Sequence, residues 1–490
     1  MPPGTHQSAR LGTGRIETVV ARADWSAEAL FGFGERINPR RAFLFVSRVL
    51  GRHVPVAPST MRRAFTDLAA KLPVDLPGPI LMLGMAETAI GLGAGVHDAW
   101  LARTGRGDTV YLATTRTPLG PPLLAQFVEA HSHASGHLVH TPPDPAVAEA
   151  VRAARTLVIV DDEASTGRTA ANLATALQAA GLGPFQRRVL AVLTDWSGAS
   201  SAAPAGRPGR RSETPRGFET VSLLAGRHRW QADPAAPLRT LPDADIVRPA
   251  PRPGALMPGD ARLGRLERSP RPHPAPLLQA LVGRPAWAPA AIPTRLGPEL
   301  GPELSPELGR GAARDIGRVA GRGVGRDAER DVGRGAGRGV GRDAGRGGRR
   351  GAARAATQPP WHVLGMGEHV WEPFLMAEAL EAAAASAGLG RDVLFSATTR
   401  SPILPGHDIA RGLSFADHEG LGIRCYVYNV DPVAAGGVLL AADTSLAAID
   451  PGLIRRLGAR VALGGAVLGD GAVARHVAAA PPAPWIGSAP

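Results

Sequence analysis

The chain has 490 residues, and its single cysteine, Cys425, excludes an internal disulfide and any cysteine-based zinc cluster. No run of about 18 uncharged apolar residues is present, and the first residues lack the apolar core of a signal peptide. We therefore expect a cytoplasmic protein without membrane contact. Of the net charge of +12, eight charges come from residues 309–354, which hold 13 arginines and five acidic residues. The basic composition is thus no sign that the folded parts bind nucleic acid.

Composition changes divide the chain into five predicted regions. They are a disordered tail (1–23), a first α/β domain (24–233), a disordered linker (234–358), a second α/β domain (359–475) and a C-terminal tail (476–490). In both domains, short β-branched runs alternate with Ala/Leu-rich amphipathic stretches, which is typical of βαβ units around a parallel sheet. At the start of the first domain, the apolar residues of Ala42–Val56 favour a packed helix followed by a turn.

The linker is predicted to be disordered for two reasons. Its first part is rich in proline, and its second part has arginine at every fourth position from Arg310 to Arg346, separated largely by Gly, Ala, Val and Asp. Glycine at this density destabilises a helix, at about 1 kcal/mol for each residue. A solvated linker is the favoured interpretation, and binding of RNA or another anionic surface is the alternative.

The segment Leu157–Thr169, LVIVDDEASTGRT, carries the clearest chemical pattern. An apolar strand is followed by the adjacent carboxylates Asp161 and Asp162 and by a turn of small residues that opens a helix. Ligands of open α/β sheets bind at the carboxyl ends of strands, and a helix N-terminus favours a phosphate. A phosphate site is therefore predicted at Ser165, Thr166, Gly167, Arg168 and Thr169, and ribose hydroxyls and water-bound magnesium at the acidic pair.

Three further segments supply candidate residues. Gly84, Met85 and Glu87 lie in LGMAE after the strand Ile80–Met82, and Arg116 ends the next strand in TTRTP. Exposed N–H groups and a planar guanidinium suit an anionic group, although a simple turn and a surface arginine explain the same residues. Glu129 and His131, in FVEAHSHASGHLVH, could transfer a proton. A polar loop, or a metal bound by His131 and His133, is the alternative for this stretch, and no metal ligands are assigned.

The segment VDDEASTG resembles the phosphoribosyl-pyrophosphate signature of type I phosphoribosyltransferases, except that Glu163 and Ala164 stand where two apolar residues are usual. With LGMAET, TTR, the EAHSHA block and SLLAGRHRW, the region 31–230 is similar to the tellurium-resistance-operon group of these enzymes, relatives of the orotate phosphoribosyltransferases. The resemblance implies the parallel-sheet type I fold, phosphoribosyl pyrophosphate as donor or product, Mg²⁺ bound mainly through that substrate, and an unknown base or nucleotide as the other substrate. It also implies that Gly84, Met85 and Arg116 meet pyrophosphate, that a mobile loop lies in Phe127–His140 with Glu129 or His131 facing the base, and that a homodimer is possible.

The second domain contains Thr399-Arg400-Ser401-Pro402 and is similar to the TRSP domain, named for this motif, that follows such phosphoribosyltransferases. We expect Arg400 and Ser401 to contact substrate. LGM recurs at 83 and 364, TTR at 114 and 398, and a β-branched strand at 158 and 438. These near-constant offsets suggest that the second domain is a diverged copy of the first.

The sequence thus predicts a Mg²⁺-dependent phosphoribosyltransferase that transfers ribose 5-phosphate to a base-like acceptor, or runs in reverse. The alternatives are a non-catalytic sensor of nucleotide or phosphoribosyl pyrophosphate, in which the arginine repeat contacts nucleic acid, and a scaffold in a stress-response operon. Acceptor, direction of reaction and oligomeric state are left open by the sequence.

Overall fold

The structure, a computed structural model, describes residues 5–37, 42–128, 136–198, 217–237, 241, 256–281, 285, 287–288, 358–478 and 480–486. We call residues 5–237 the first half, residues 256–281 the connecting segment, and residues 358–486 the second half. The arginine repeat lies outside the described residues. None of the described helices is long and apolar enough to cross a membrane.

The first half is built around a seven-stranded sheet. Its elements in chain order are β1 (Thr5–Leu11), β2 (Gly14–Ala23), α1 (Ala27–Leu30), β3 (Phe31–Arg36), β4 (Phe43–Ser47), α2 (Pro58–Lys71), β5 (Ile80–Gly84), α3 (Ala89–Thr104), β6 (Thr109–Ala113), β7 (Leu123–Phe127), β8 (His137–His140), α4 (Pro145–Arg152), β9 (Thr156–Ala164), α5 (Arg168–Ala179), β10 (Arg187–Asp195) and β11 (Glu219–Ala232). The strand order is β1-β2-β11-β10-β9-β5-β6, and β11, β10, β9, β5 and β6 run parallel.

The connecting segment and the second half supply a second sheet. Their elements are α6 (Asp260–Leu263), α7 (Pro274–Leu281), β12 (Gln358–Gly365), α8 (Trp371–Ser386), β13 (Arg391–Ala397), β14 (Ile403–Leu404), β15 (Gly412–Ala416), β16 (Arg424–Tyr428), β17 (Gly437–Ala442), α9 (Pro451–Leu457), β18 (Arg460–Leu463), β19 (Ala466–Val467), α10 (Asp470–Val477) and β20 (Trp485–Ile486). This sheet has the order β13-β12-β17-β18-β19. The α/β class predicted for both domains is confirmed.

The two halves share a core and a small sheet. Phe65 of α2 contacts Trp371 and Phe374 of α8, with ring centroids 6.4 and 5.2 Å apart. Strand β14 of the second half pairs with β3, which itself pairs with β4, so one three-stranded sheet contains strands from both halves. Helix α3 also packs closely against the second half at Gly91, because a Cβ there would lie only 2.9 Å from the Val370 side chain.

Four sequence predictions about local structure are wrong. Residues 1–23 contain the hairpin β1–β2, whose Ile16 and Val20 are buried and which pairs with β11. Phe43–Ser47 is a strand, since pairing with β3 satisfies an extended backbone. The connecting segment lies inside the predicted linker but is ordered. At the C-terminus, β20 pairs with β15.

Ion pairs of its arginines and burial of its leucines hold the connecting segment against the rest of the protein. Arg268 and Arg271 pair with the buried Asp98 of α3, and the Trp371 indole nitrogen donates to Ser269 Oγ at 2.8 Å. In α7, Leu277, Leu278 and Leu281 are buried. Composition alone did not reveal this order, because its charged residues are neutralised by partners far away in the sequence.

Candidate functional site

A cavity of about 1300 Å³ lies at the carboxyl edge of the first sheet and extends to the second half. Its first wall is the predicted phosphate loop, since β9 ends at Ala164 and α5 begins at Arg168. Gly167 caps the helix with a φ of 64°, a left-handed conformation that favours glycine. Ser165, Thr166, Gly167, Arg168 and Thr169 all line the cavity, as predicted for a phosphate site at a helix N-terminus.

Three consecutive acidic side chains line the same cavity: Asp161, Asp162 and Glu163. Burial raises the pKa of Asp162 to about 6, and the neighbouring negative charge of Glu163 adds to this effect. Because neighbouring carboxylates repel one another, a cation or hydroxyl donors would stabilise the three that line this cavity. Their chemistry therefore fits ribose hydroxyls and a hydrated magnesium ion, although among the described residues no group of three or more His, Cys, Asp or Glu is arranged to hold a metal by itself.

The loop after β5 forms the second wall. Met85, Ala86, Glu87 and Thr88 line the cavity, and the Ala86 N–H donates to Thr114 Oγ1 at 2.8 Å. Gly84 does not line it; a Cβ there would lie 2.4 Å from the Tyr111 hydroxyl, so this glycine serves packing.

Glu87 is an ionised carboxylate inside this wall. Burial raises its pKa, but the guanidiniums of Arg52 and Arg400 outweigh burial and hold the pKa at about 2. Arg52 Nη2 lies 2.6 Å from Glu87 Oε2, and the Thr399 hydroxyl donates to the same oxygen at 3.0 Å. Glu87 therefore fixes the groups around the loop and also lines the cavity, so the substrate contact predicted for it stays a prediction.

Two arginines reach the cavity from opposite halves. Arg116, after β6, lines it from the first half, and Arg400 lines it from the second half together with Ser401. Arg400 forms an ion pair with Glu419, and its Nη2 donates to Thr117 Oγ1 at 2.6 Å. The structure thus brings the predicted residues of both domains together around one cavity. Glu129 and His131 lie outside the described residues, so their roles stay predictions.

An aromatic wall is a feature that the sequence analysis missed. Phe43, Phe45, His228 and Trp230 line the cavity. The Phe43 ring centroid lies 5.3 Å from that of Trp230 and 5.4 Å from that of His228. These residues come from β4 and from the end of β11, where β11 extends past β10 and pairs with β2 alone, so their meeting depends on tertiary structure. The only local signal was in RHRW, residues 227–230 of β11, where arginines alternate with the aromatic residues His228 and Trp230.

His53 is a further lining residue that the sequence did not predict. It lines the cavity, is buried, and its Nε2 has no hydrogen-bond partner among the described residues. Burial and the nearby charges of Arg52 and Arg36 lower its pKa to about 3, so the ring is neutral at physiological pH. A neutral imidazole in a cavity can donate or accept one hydrogen bond with a ligand.

Residues 30–228 match the family model described as phosphoribosyl transferase, and residues 348–457 match the model described as the TRSP domain C-terminal to that family. The chain therefore contains a phosphoribosyl transferase family region followed by a TRSP domain. The predicted family and the predicted fold are therefore confirmed, and below we call the two halves the phosphoribosyl transferase half and the TRSP half. No curated protein matches the chain.

Several solved structures are similar to the phosphoribosyl transferase half. The APRTase from Giardia lamblia complexed with 9-deazaadenine is 16% identical, with 42% of this chain and 98% of that chain covered and a TM-score of 0.28. The adenine phosphoribosyl transferase of Trypanosoma brucei is 15% identical over 40% of this chain and 76% of its own, with a TM-score of 0.25. The orotate phosphoribosyltransferase of Aeropyrum pernix is 19% identical, with coverages of 38% and 79% and a TM-score of 0.21.

Proposed function

We propose that the protein transfers a ribose 5-phosphate group between pyrophosphate and a heterocyclic base, with phosphoribosyl pyrophosphate and Mg²⁺. The supporting observation is that the acidic triplet, the glycine-capped phosphate loop and two arginines from opposite halves line one cavity. No single element of this set would carry the proposal, but together they offer partners for every charged part of such a donor.

Each group of residues has a distinct task in this reaction. The N–H groups and hydroxyls of Ser165–Thr169 bind the 5-phosphate, and Asp161 and Asp162 accept hydrogen bonds from the ribose hydroxyls. Arg116 and Arg400 neutralise pyrophosphate as its bond to C1 breaks and the bond from C1 to the base nitrogen forms. Mg²⁺, when bound with the donor, would screen the pyrophosphate charge near the acidic triplet. Residues 129–135 lie outside the described part of the chain, and Glu129 and His131 are proposed to face the base.

The acceptor end of the cavity is proposed to be the aromatic wall. Phe43, His228 and Trp230 offer flat apolar faces on which a base can stack, at about 1–3 kcal/mol for each stacked ring. His53, which also lines the cavity, supplies a neutral hydrogen-bonding edge. The combination favours a planar heterocycle with both apolar faces and polar edges.

Calorimetric titration of phosphoribosyl pyrophosphate in the presence of Mg²⁺ tests the proposal. We expect micromolar binding by the native protein and loss of binding in the variant Asp161→Asn/Asp162→Asn, with bases then screened for pyrophosphate release. Folded native protein that does not bind would contradict the proposal. Binding without pyrophosphate release for any base would instead support the sensor alternative.

His53 provides a prediction about the acceptor. His53→Phe retains an aromatic ring but removes the hydrogen-bonding nitrogen, so KM for the base should rise about tenfold while the affinity for phosphoribosyl pyrophosphate changes less than twofold. His53→Asn should recover part of the loss. Since the ring is neutral well above its pKa of about 3, the His53→Phe effect should be equal at pH 6 and pH 8. Steady-state kinetics with the identified base at both pH values would measure it, and a loss confined to pH 6 would contradict the neutral-imidazole role.

A further inference from the structure

The two halves have the same central topology. Strands β6-β5-β9-β10 of the phosphoribosyl transferase half and β13-β12-β17-β18 of the TRSP half are all parallel and have equivalent order along the chain. The first strand of each set in sequence, β5 or β12, lies between its two partners. A different order would have excluded the diverged-copy hypothesis, and the observed order supports it.

Backbone hydrogen bonds repeat at equivalent positions. The Met85 N–H donates to Val160 O at 3.0 Å, and the Met366 N–H donates to Ala441 O at 3.0 Å. In the same way, the Ala86 N–H donates to Thr114 Oγ1 at 2.8 Å, and the Gly367 N–H donates to Thr398 Oγ1 at 2.7 Å. These pairs make Asp443 the counterpart of Asp162.

Contacts between the halves are reciprocal as well. Glu87 accepts from the Thr399 hydroxyl, and its counterpart Glu368 accepts from the Thr115 hydroxyl. Glu368 also accepts from the Arg116 backbone N–H at 2.7 Å. The two halves therefore face each other as related partners, each with its LGM loop against the TTR turn of the other.

The counterpart site in the TRSP half is filled by an arginine of the connecting segment. The Arg262 side chain is only 2% exposed and forms an ion pair with Asp443, with its Nη1 3.5 Å from Glu368 Oε2 and 3.8 Å from Glu419 Oε1. The Met257 N–H, in the same segment, donates to Asp443 O at 2.6 Å. Where Asp162 lines an open cavity, Asp443 faces a guanidinium.

We propose that the TRSP half retains the remnant of a second sugar-phosphate site and that the Arg262 guanidinium occupies this remnant as a permanent internal counter-ion. In this position, Arg262 holds Arg400 at the cavity of the phosphoribosyl transferase half, which is the first site. Two features make the remnant unable to take the donor itself. The segment Ala441–Leu446 has no glycine at the turn and one carboxylate in place of three. The remaining carboxylate, Asp443, forms an ion pair with Arg262.

The link from Arg262 to the first site passes through one carboxylate. Glu419 lies beside Arg262 on one side, and forms an ion pair with Arg400 on the other, while its Oε2 accepts from Thr117 Oγ1 at 2.5 Å. In a buried network, removal of one charge leaves its partners uncompensated, and they rearrange. Loss of Arg262 would free Glu419 to draw Arg400 away from the cavity, so Arg262 is a positioning residue.

Arg262→Ala and Arg262→Lys, with Arg271→Ala as matched control, test the proposal in the full chain. Arg271 belongs to the same segment but pairs with Asp98 and Glu378, outside this network. Hydrogen exchange would report whether residues 256–263 and 417–424 open. We expect faster exchange in both regions for Arg262→Ala, a smaller effect for Arg262→Lys, and exchange unchanged at 417–424 for Arg271→Ala.

Chemical rescue distinguishes an occupied site from a general loss of stability. Guanidinium ion at a low, non-denaturing millimolar concentration should enter the space left in Arg262→Ala and restore the native exchange rate at 417–424. It should do nothing for Arg271→Ala. The proposal would be overturned if hydrogen exchange in Arg262→Ala equalled that of the native protein. It would also be overturned if guanidinium failed to rescue Arg262→Ala and Arg262→Lys exchanged as fast as Arg262→Ala.

The effect on the first site rests on the proposed function. The affinity for phosphoribosyl pyrophosphate should fall about tenfold in Arg262→Ala, recover with guanidinium, and change less than twofold in Arg271→Ala. If the native protein binds no donor, the proposed function fails while exchange and rescue still decide the occupancy of the second site. If the native protein binds and Arg262→Ala binds equally well, Arg262 does not position Arg400.

Discussion

Asp162→Asn should raise the stability of the ligand-free protein at pH 8 and, together with Asp161→Asn, abolish pyrophosphate release. Burial and Glu163 raise the pKa of Asp162 from 3.8 to about 6. The folded protein therefore binds this proton more tightly than the unfolded chain, and the contribution of Asp162 to stability falls as the pH rises from about 4 to about 6. Above that range, a neutral amide avoids the cost of a buried charge, by about 1–3 kcal/mol.

Thermal unfolding at pH 4 and pH 8 measures this effect. The melting temperature of Asp162→Asn should exceed that of the native protein at pH 8 and approach it at pH 4. Phosphoribosyl pyrophosphate with Mg²⁺ should stabilise only the native protein. A variant that is less stable at pH 8 would contradict the electrostatic role, and turnover retained together with Asp161→Asn would contradict the catalytic role.

Glu87→Gln is the matched control, because its expected sign is opposite. Arg52 and Arg400 hold the pKa of Glu87 at about 2, despite burial, compared with an ordinary value of 4.5. Its contribution to stability is fully present above pH 4.5 and is lost as the pH falls through 2. Glu87→Gln should therefore lower the stability at pH 8, by about 3 kcal/mol, since the buried Arg52 loses its carboxylate partner and Arg400 keeps only Glu419.

The strand, turn and helix that carry the proposed phosphate site were predictable because their determinants are local. A buried strand, two carboxylates, small hydroxyl residues and a glycine follow one another between Leu157 and Thr169, and β9, the turn and α5 form in that order. The hairpin β1–β2 also had a local signal, which the composition of the tail obscured. Ile16, Thr18 and Val20 alternate with exposed or half-buried residues, as expected for a strand with one buried face.

Other features depend on partners distant in the sequence. The apolar run Phe43–Ser47 fits a buried helix or strand equally well, and only pairing with β3 decides it. The aromatic wall combines residues about 185 positions apart. In the sequence, nothing distinguishes Arg262 from the other arginines of the predicted linker, because its partner Asp443 lies 181 residues later. No local pattern indicates such a partner.

Arg400→Met should lower kcat/KM about 100-fold or more, although Arg400 belongs to the TRSP half. Its guanidinium lines the cavity of the phosphoribosyl transferase half, and a charged hydrogen bond to a developing pyrophosphate is worth about 3 kcal/mol. Arg400→Lys should lose less, since it retains the charge and loses the planar fork. Arg411→Met is the control, because Arg411 pairs with Asp431, 2.6 Å away, and does not line the cavity.

Loss of stability and loss of catalysis can be separated at this residue. Arg400→Met leaves Glu419 as a buried charge with one guanidinium partner fewer, so the melting temperature should also fall. In Arg400→Met/Glu419→Gln the melting temperature should recover while the activity does not, because the amide removes the unbalanced charge but restores no cation to the cavity. Activity that recovers with stability would show that Arg400 only holds the halves together. Activity that stays low would mean that the TRSP half supplies a catalytic group, and that neither half is a complete enzyme alone.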